Sequence, residues 1–219
     1  MDVAFFENLI DIFAVAMLLL SMLAMASSRM LQLIRIFALH SLMLSILALI
    51  VAFYSGNSHI YIICAFTLIL KVIVIPKFLI YTMERINIEK EIKPLVGIPG
   101  SLLLSAVMIF IAYIVAEPMM DSLVTIGSNC LALSLSVIFI GMLMMVTRTM
   151  AITESIGLLL MENGLFLGAM TISYGMPLIV ELGVFFDVLI AVVIIGIFAY
   201  RINRTFDSVD TIFLRRLKE

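Results

Sequence analysis

Polar residues along this 219-residue chain come in short groups, and the apolar runs between them are about 20 residues long, enough to cross a bilayer at about 1.5 Å per residue. The runs fall near 4–26, 33–54, 59–82, 99–116, 122–146, 150–173 and 177–200. The pattern predicts an all-α, polytopic integral membrane helix bundle with about seven transmembrane helices. The connections sharpen that expectation, because Lys and Arg collect in cytoplasmic loops. Arg29 and Arg35 flank the first connection, the third holds Arg85, Lys90 and Lys93, the fifth holds Arg148, and Arg201, Arg204, Arg215, Arg216 and Lys218 follow the last run. The second connection, at 55–59, and the sixth, at 173–177, carry no Lys or Arg, and the fourth, at 117–121, is acidic. This alternation predicts an N-terminus outside and a C-terminus in the cytoplasm. The longest polar interruption, Glu84 to Lys93, divides a three-helix part with its cytoplasmic loop (1–98) from a four-helix part (99–200), and 201–219 forms a cytoplasmic tail.

Composition narrows the class. With 64% hydrophobic and 13% charged residues and a mean hydropathy of +1.28, the chain lies outside the range of soluble domains. The lipid bilayer is its surroundings, and no basic patch points to nucleic acid. Cys64 and Cys130 both sit in apolar runs without Cys-x-x-Cys or Cys/His ligand spacing, so no metal or cofactor is expected in this chain. The 17 methionines are scattered and read as packing residues. Asp2, Glu7 and Asp11 precede or enter the first run where a signal peptide would be basic, so none is expected to be removed.

The informative charges are those placed inside the runs. Glu162 lies roughly 18 Å from the cytoplasmic end of the sixth run, and Asp187 roughly 19 to 20 Å from that of the seventh. An ionised acid at mid-bilayer costs about 2.5–3.5 kcal/mol or more, so it is retained where the bundle uses it. Two carboxyls at similar depth on consecutive helices suit proton or cation handling, or a packing pair with a neighbouring Lys or Ser. Lys71 lies about 16 Å into the third run and is either a relay member or the counter-charge of an acid. Pro76, five residues on, removes a backbone hydrogen bond and predicts a bend near Lys71. His40, about two turns into the second run, is a relay candidate or a ring bonded to a backbone carbonyl. Glu154 and Glu181, near opposite ends of their runs, are candidate entry or exit points, and interfacial solvation accounts for them equally.

From Arg148 onward the chain resembles the K subunit of respiratory complex I and the C subunit of Mrp-type cation/proton antiporters. Arg148 matches a cytoplasmic turn, Gly157-Leu158-Leu159-Leu160-Met161-Glu162-Asn163 a Gly-Leu-Glu-x-Met-x-Asn-like motif, and Asp187 a second acid, followed by Asp207-Ser208-Val209 in the tail. The resembling unit covers about 122–200. One departure stands out: the acid's place in that motif is Leu159, and Glu162 lies one turn further along, about 60° around the axis. The extra N-terminal helices, the length and the Lys71-to-Pro76 feature resemble the hydrogenase-4 component E family of formate hydrogenlyase and related group 4 NiFe-hydrogenase complexes. That resemblance implies a multi-pass subunit of the inner (cytoplasmic) membrane beside antiporter-like and other membrane-arm subunits. It also implies that NiFe and iron–sulfur centres belong only to partner subunits.

Three readings follow. The first is a non-catalytic membrane-arm subunit of an energy-converting hydrogenase or complex-I-like oxidoreductase that helps move protons or Na⁺. The second is a subunit of a multisubunit cation/proton antiporter, and the third is a structural spacer.

Overall fold

The computed structural model describes residues 3–55, 61, 64–65, 68–85, 96–120 and 129–173. They form α1 (Val3–Ala26), α2 (Met30–Ser55), a π-helical segment (Leu68–Val74) running straight into α3 (Ile75–Arg85), α4 (Ile98–Met120), α5 (Cys130–Thr147) and α6 (Ala151–Ser173). Among the described residues, four stretches are long and apolar enough to cross a membrane: Asn8–Ala26, Met30–Phe53, Ile98–Met119 and Cys130–Thr147. Helices are the form such sequences take, because in hydrocarbon every backbone N–H and C=O has to be satisfied within the segment. The third expected run corresponds to the π-helical segment and α3, and the sixth to α6. The seventh, with Glu181 and Asp187, lies outside the described residues, as does the tail.

The bend expected before Pro76 takes the form of a rewinding. Pro76 is the second residue of α3, immediately after the π-helical turn, so its missing N–H falls where i→i+5 winding gives way to the α-helix.

α5 and α6 form the tightest helix pair. A Cβ on Gly141 would lie 2.6 Å from the Met161 backbone nitrogen and 2.8 Å from the Gly157 carbonyl oxygen. On Gly164 it would meet the Ile138 backbone nitrogen at 2.9 Å, and on Gly168 the Ser134 hydroxyl oxygen at 2.9 Å. Backbone therefore lies on backbone along this seam, the close approach that small residues permit between membrane helices. α5 also packs on α4 and α1, and α2 packs on α1, the π-helical segment, α3 and α6. α4 turns Ser101, Ser105, Ala112 and Ala116 inward and leaves Leu103, Phe110 and Ile114 exposed, an outer face suited to acyl chains.

The bundle interior is layered. One apolar cluster joins Met25, Met30, Phe37, Ile75, Leu79, Met144, Ile152 and Leu159. A second joins Met17, Leu44, Leu47, Val51, Leu133, Phe166, Leu167 and Met170. On α1, α2 and α6 the sequence between the two clusters holds buried polar residues: Ser21, His40 with Ser41, and Glu162 with Asn163. A polar layer thus lies between two apolar ones.

At one end of the bundle Arg148, 2% exposed, follows the last residue of α5. Its Nη2 donates to the carbonyls of Met25, in the last turn of α1, and of Ser27. A cation there complements the negative end of the α1 dipole and satisfies carbonyls that the helix leaves open. The contact brings the α1–α2 and α5–α6 turns to the same end, where charge alternation also groups them.

Candidate functional site

The polar layer is built around Lys71. The π-helical turn carries its side chain inward, 0% exposed, from a segment whose neighbours Ile69, Ile73 and Val74 are exposed. Its Nζ lies 3.3 Å from Oε2 of Glu162, also buried, and donates a 3.0 Å hydrogen bond to Oδ1 of Asn163. Glu162 and Asn163 are consecutive on α6, so one lysine engages two adjacent side chains of a helix far away in sequence. In a medium of low dielectric such a pair is held in place because separating its members would leave a bare charge in hydrocarbon.

The layer continues beyond the lysine. Asn163 Nδ2 donates to Ser41 Oγ at 3.1 Å and lies 3.1 Å from His40 Nδ1. His40 Nε2 lies 3.1 Å from Ser21 Oγ, and the Ser21 hydroxyl donates to the Met17 carbonyl at 3.0 Å. Glu162, Lys71, Asn163, His40 and Ser21 form one connected string that crosses from α6 through the π-helical segment and α2 to α1.

The sequence-expected residues distribute as follows. Lys71, Glu162 and His40 are gathered into this string, with Lys71 in the role of counter-charge to Glu162. Glu154 is exposed in the first turn of α6 and stands apart from it. Asp187, expected to exchange protons with Glu162, and Glu181 lie outside the described residues. Leu159, the motif position where an acid was expected, is fully buried in the apolar cluster with Ile156 and Leu160. Asn163, Ser21 and Ser41 were not singled out. The available signal was an amide directly beside a mid-span acid, and hydroxyls at mid-span positions of the first two runs.

The described chain is therefore a membrane helix bundle with a charged pair and a hydrogen-bonded polar string buried across its middle. Among known proteins, it is 34% identical over 131 residues to the uncharacterized protein Rv0085 of Mycobacterium tuberculosis, a match covering 60% of each chain. It is 29% identical over 150 residues to hydrogenase-4 component E of Escherichia coli K12, covering 68% of this chain and 69% of that protein. The same identity and coverage hold for hydrogenase-4 component E of Shigella flexneri. The match thus spans less than two thirds of the mycobacterial protein and slightly more than two thirds of the hydrogenase components. No family model matches the chain, and no solved structure matches it.

Proposed function

We propose that this chain is a non-catalytic membrane-arm subunit of an energy-converting, complex-I-like hydrogenase, and that the Lys71–Glu162 pair takes part in moving protons through that arm. The observation that carries the reading is the pair itself, 3.3 Å apart and buried within the bundle. A bundle that needed only packing would be served there by apolar side chains. The likeness to hydrogenase-4 component E supports a hydrogenase as the host complex. In this reading the N-terminus faces outward, the cell's inner membrane is the location, antiporter-like subunits are the neighbours, and redox centres reside in other subunits. The resemblance of the C-terminal part to complex I's K subunit points the same way.

A buried lysine and glutamate can exchange a proton without either charge leaving the membrane. The N–H bond broken on Lys71 Nζ becomes the O–H bond of Glu162, and the ion pair becomes a neutral pair. The low-dielectric interior narrows the free-energy gap between these two forms, since desolvation penalises both charges at once. That makes the pair suited to passing on a proton.

The test uses the assembled complex in inverted membrane vesicles, with proton uptake normalised to the amount of complex. Lys71→Met and Glu162→Gln are each expected to lower coupled uptake at least tenfold while assembly persists. Wild-type uptake in both variants would overturn the proposal and leave the pair as a packing element. Neighbouring hydrogenase genes would support the hydrogenase host over a pure antiporter, whose gene cluster would lack them.

A further inference from the structure

The hydrogen bonds of the polar layer fix which of Asn163, His40 and Ser21 gives and which receives, and they do so from both ends. At the Lys71 end, the amine donates to Asn163, so the oxygen of that amide faces Lys71 and the nitrogen faces α2. His40 Nδ1, 3.1 Å from Asn163 Nδ2, then has to be an acceptor. At the Ser21 end, the single hydroxyl proton is committed to the Met17 carbonyl, so Ser21 Oγ can only accept from His40 Nε2. Both ends assign His40 the same neutral form, protonated on Nε2 and bare on Nδ1.

We infer that Asn163 is a positioning residue that ties the protonation of Lys71 to the tautomer of His40 through a half-turn of its side-chain amide. The inference deepens the proton-handling reading and rests on it for its purpose, though not for its geometry. Two arrangements are open to the amide of Asn163, the ring of His40 and the hydroxyls of Ser21 and Ser41. In the one observed, Lys71 donates to the amide oxygen, and the amide nitrogen donates to His40 Nδ1 and Ser41. In the other, the lysine proton has passed from Nζ to a Glu162 oxygen, and the new O–H turns away from Lys71. Glu162 instead accepts one of the two N–H bonds that the neutral amine keeps, which leaves the amine's single lone pair to the amide. The amide turns over, its nitrogen donating to Lys71 and its oxygen accepting from His40 Nδ1. The Ser41 hydroxyl, which can give or receive, donates to that oxygen. On His40 the N–H has moved from Nε2 to Nδ1 with the ring still neutral, and the Ser21 hydroxyl turns to donate to Nε2. The number of protons in the layer is the same in both arrangements. The Met17 carbonyl gives up only its bond to Ser21, as an α-helical carbonyl with a backbone partner of its own. A network with two such arrangements is the kind of element that can carry information between two sites.

The test reads His40 directly. The chain contains two histidines, so a His59→Asn background leaves one imidazole for 15N labelling in the full-length chain reconstituted in lipid vesicles. Solid-state NMR of this background at neutral pH is expected to show a single ring with a protonated Nε2 and a bare Nδ1. Asn163→Asp presents an acceptor to both neighbours, so His40 is expected to become protonated at Nδ1. Lys71→Met removes the donor that pins the amide, and both tautomers are expected to appear. A ring that keeps a bare Nδ1 in both variants would overturn the inference, as would a protonated Nδ1 in the unaltered background. An amide that merely packs would leave the tautomer unmoved by Lys71→Met. If the tautomer fails to respond while Lys71→Met and Glu162→Gln abolish proton uptake, the switch falls and the ion-pair function stands. If the tautomer responds while uptake in those variants stays wild type, the function falls and the switch stands.

Discussion

The two sides of α6 solve opposite problems. Gly157, Gly164 and Gly168 lie within about 40° of one another around the helix, and α5 approaches each of them so closely that an added Cβ would lie within 3 Å of its atoms. Glu162 and Asn163 lie about 140° and 240° around from Gly157, on the far side, where they meet the side chains of Lys71 and α2. The seam holds α6 by close contact and tolerates no added atom. The polar side holds it by charge and hydrogen bonds whose partners can rearrange. A rigid face behind a rearrangeable one is what a helix needs if protons are to redistribute on it without the helix moving.

Substitutions separate the two sides. The largest loss is expected from Glu162→Gln, which strips Lys71 of its buried counter-charge; breaking such a pair from one side costs about 3–5 kcal/mol. Thermal unfolding of the purified chain in detergent would show it. The double variant Lys71→Met with Glu162→Gln is expected to recover much of that loss, and strictly additive losses would mean the two residues act separately. Next comes Gly141→Val, whose added atoms would collide with the Met161 backbone. Overpacking of this kind costs about 1–3 kcal/mol. It is expected to lower the unfolding temperature while leaving the His40 NMR signal unchanged, whereas a shifted ring would show that the sides are mechanically linked. Arg148→Met exposes the carbonyl end of α1 and removes a charge from it, for an expected loss of about 1–2 kcal/mol. Burial already pushes the Arg148 pKa down from its ordinary value, yet a guanidinium stays charged. This loss should therefore be flat across the accessible pH range in the same unfolding assay. Ser21→Ala is the mildest, about 0.5–1.5 kcal/mol for one hydrogen bond. Its clearer readout is a change in the His40 Nε2 signal.

How far these features could be read from the sequence follows from what each depends on. Apolar run length and mean hydropathy report directly on bilayer crossing, and four of the expected runs form helices of that kind. Depth along a run is also arithmetic, which is why Lys71 and Glu162, placed about 2 Å apart in depth, do meet. The azimuth of a residue around its helix and the neighbour it faces depend on packing that no single run encodes. The sequence therefore left open which acid Lys71 would serve as counter-charge, and the structure gives Glu162; Asp187, the expected relay partner of Glu162, lies outside the described residues. The glycine seam was legible in principle, since Gly164-Leu165-Phe166-Leu167-Gly168 has the small-x-x-x-small spacing of close helix pairs. Asn163 stood in a quoted motif, but only its contacts in three directions reveal what it does.

The π-helical turn at Leu68–Val74 has a consequence in terms of chain length. A turn closed by i→i+5 bonds holds one residue more than an α-helical turn in the same place. A gene lacking a single codon there would encode an uninterrupted α-helix, and the side chains on one side of the deletion would swing about 100° relative to those on the other. Lys71 could then point away from α6 although Lys71, Glu162 and Asn163 were all still encoded. Meeting between this lysine and its acid is thus specified by an interval as much as by identity. A relative with all three residues and a segment one residue shorter would keep the letters and lose the pair.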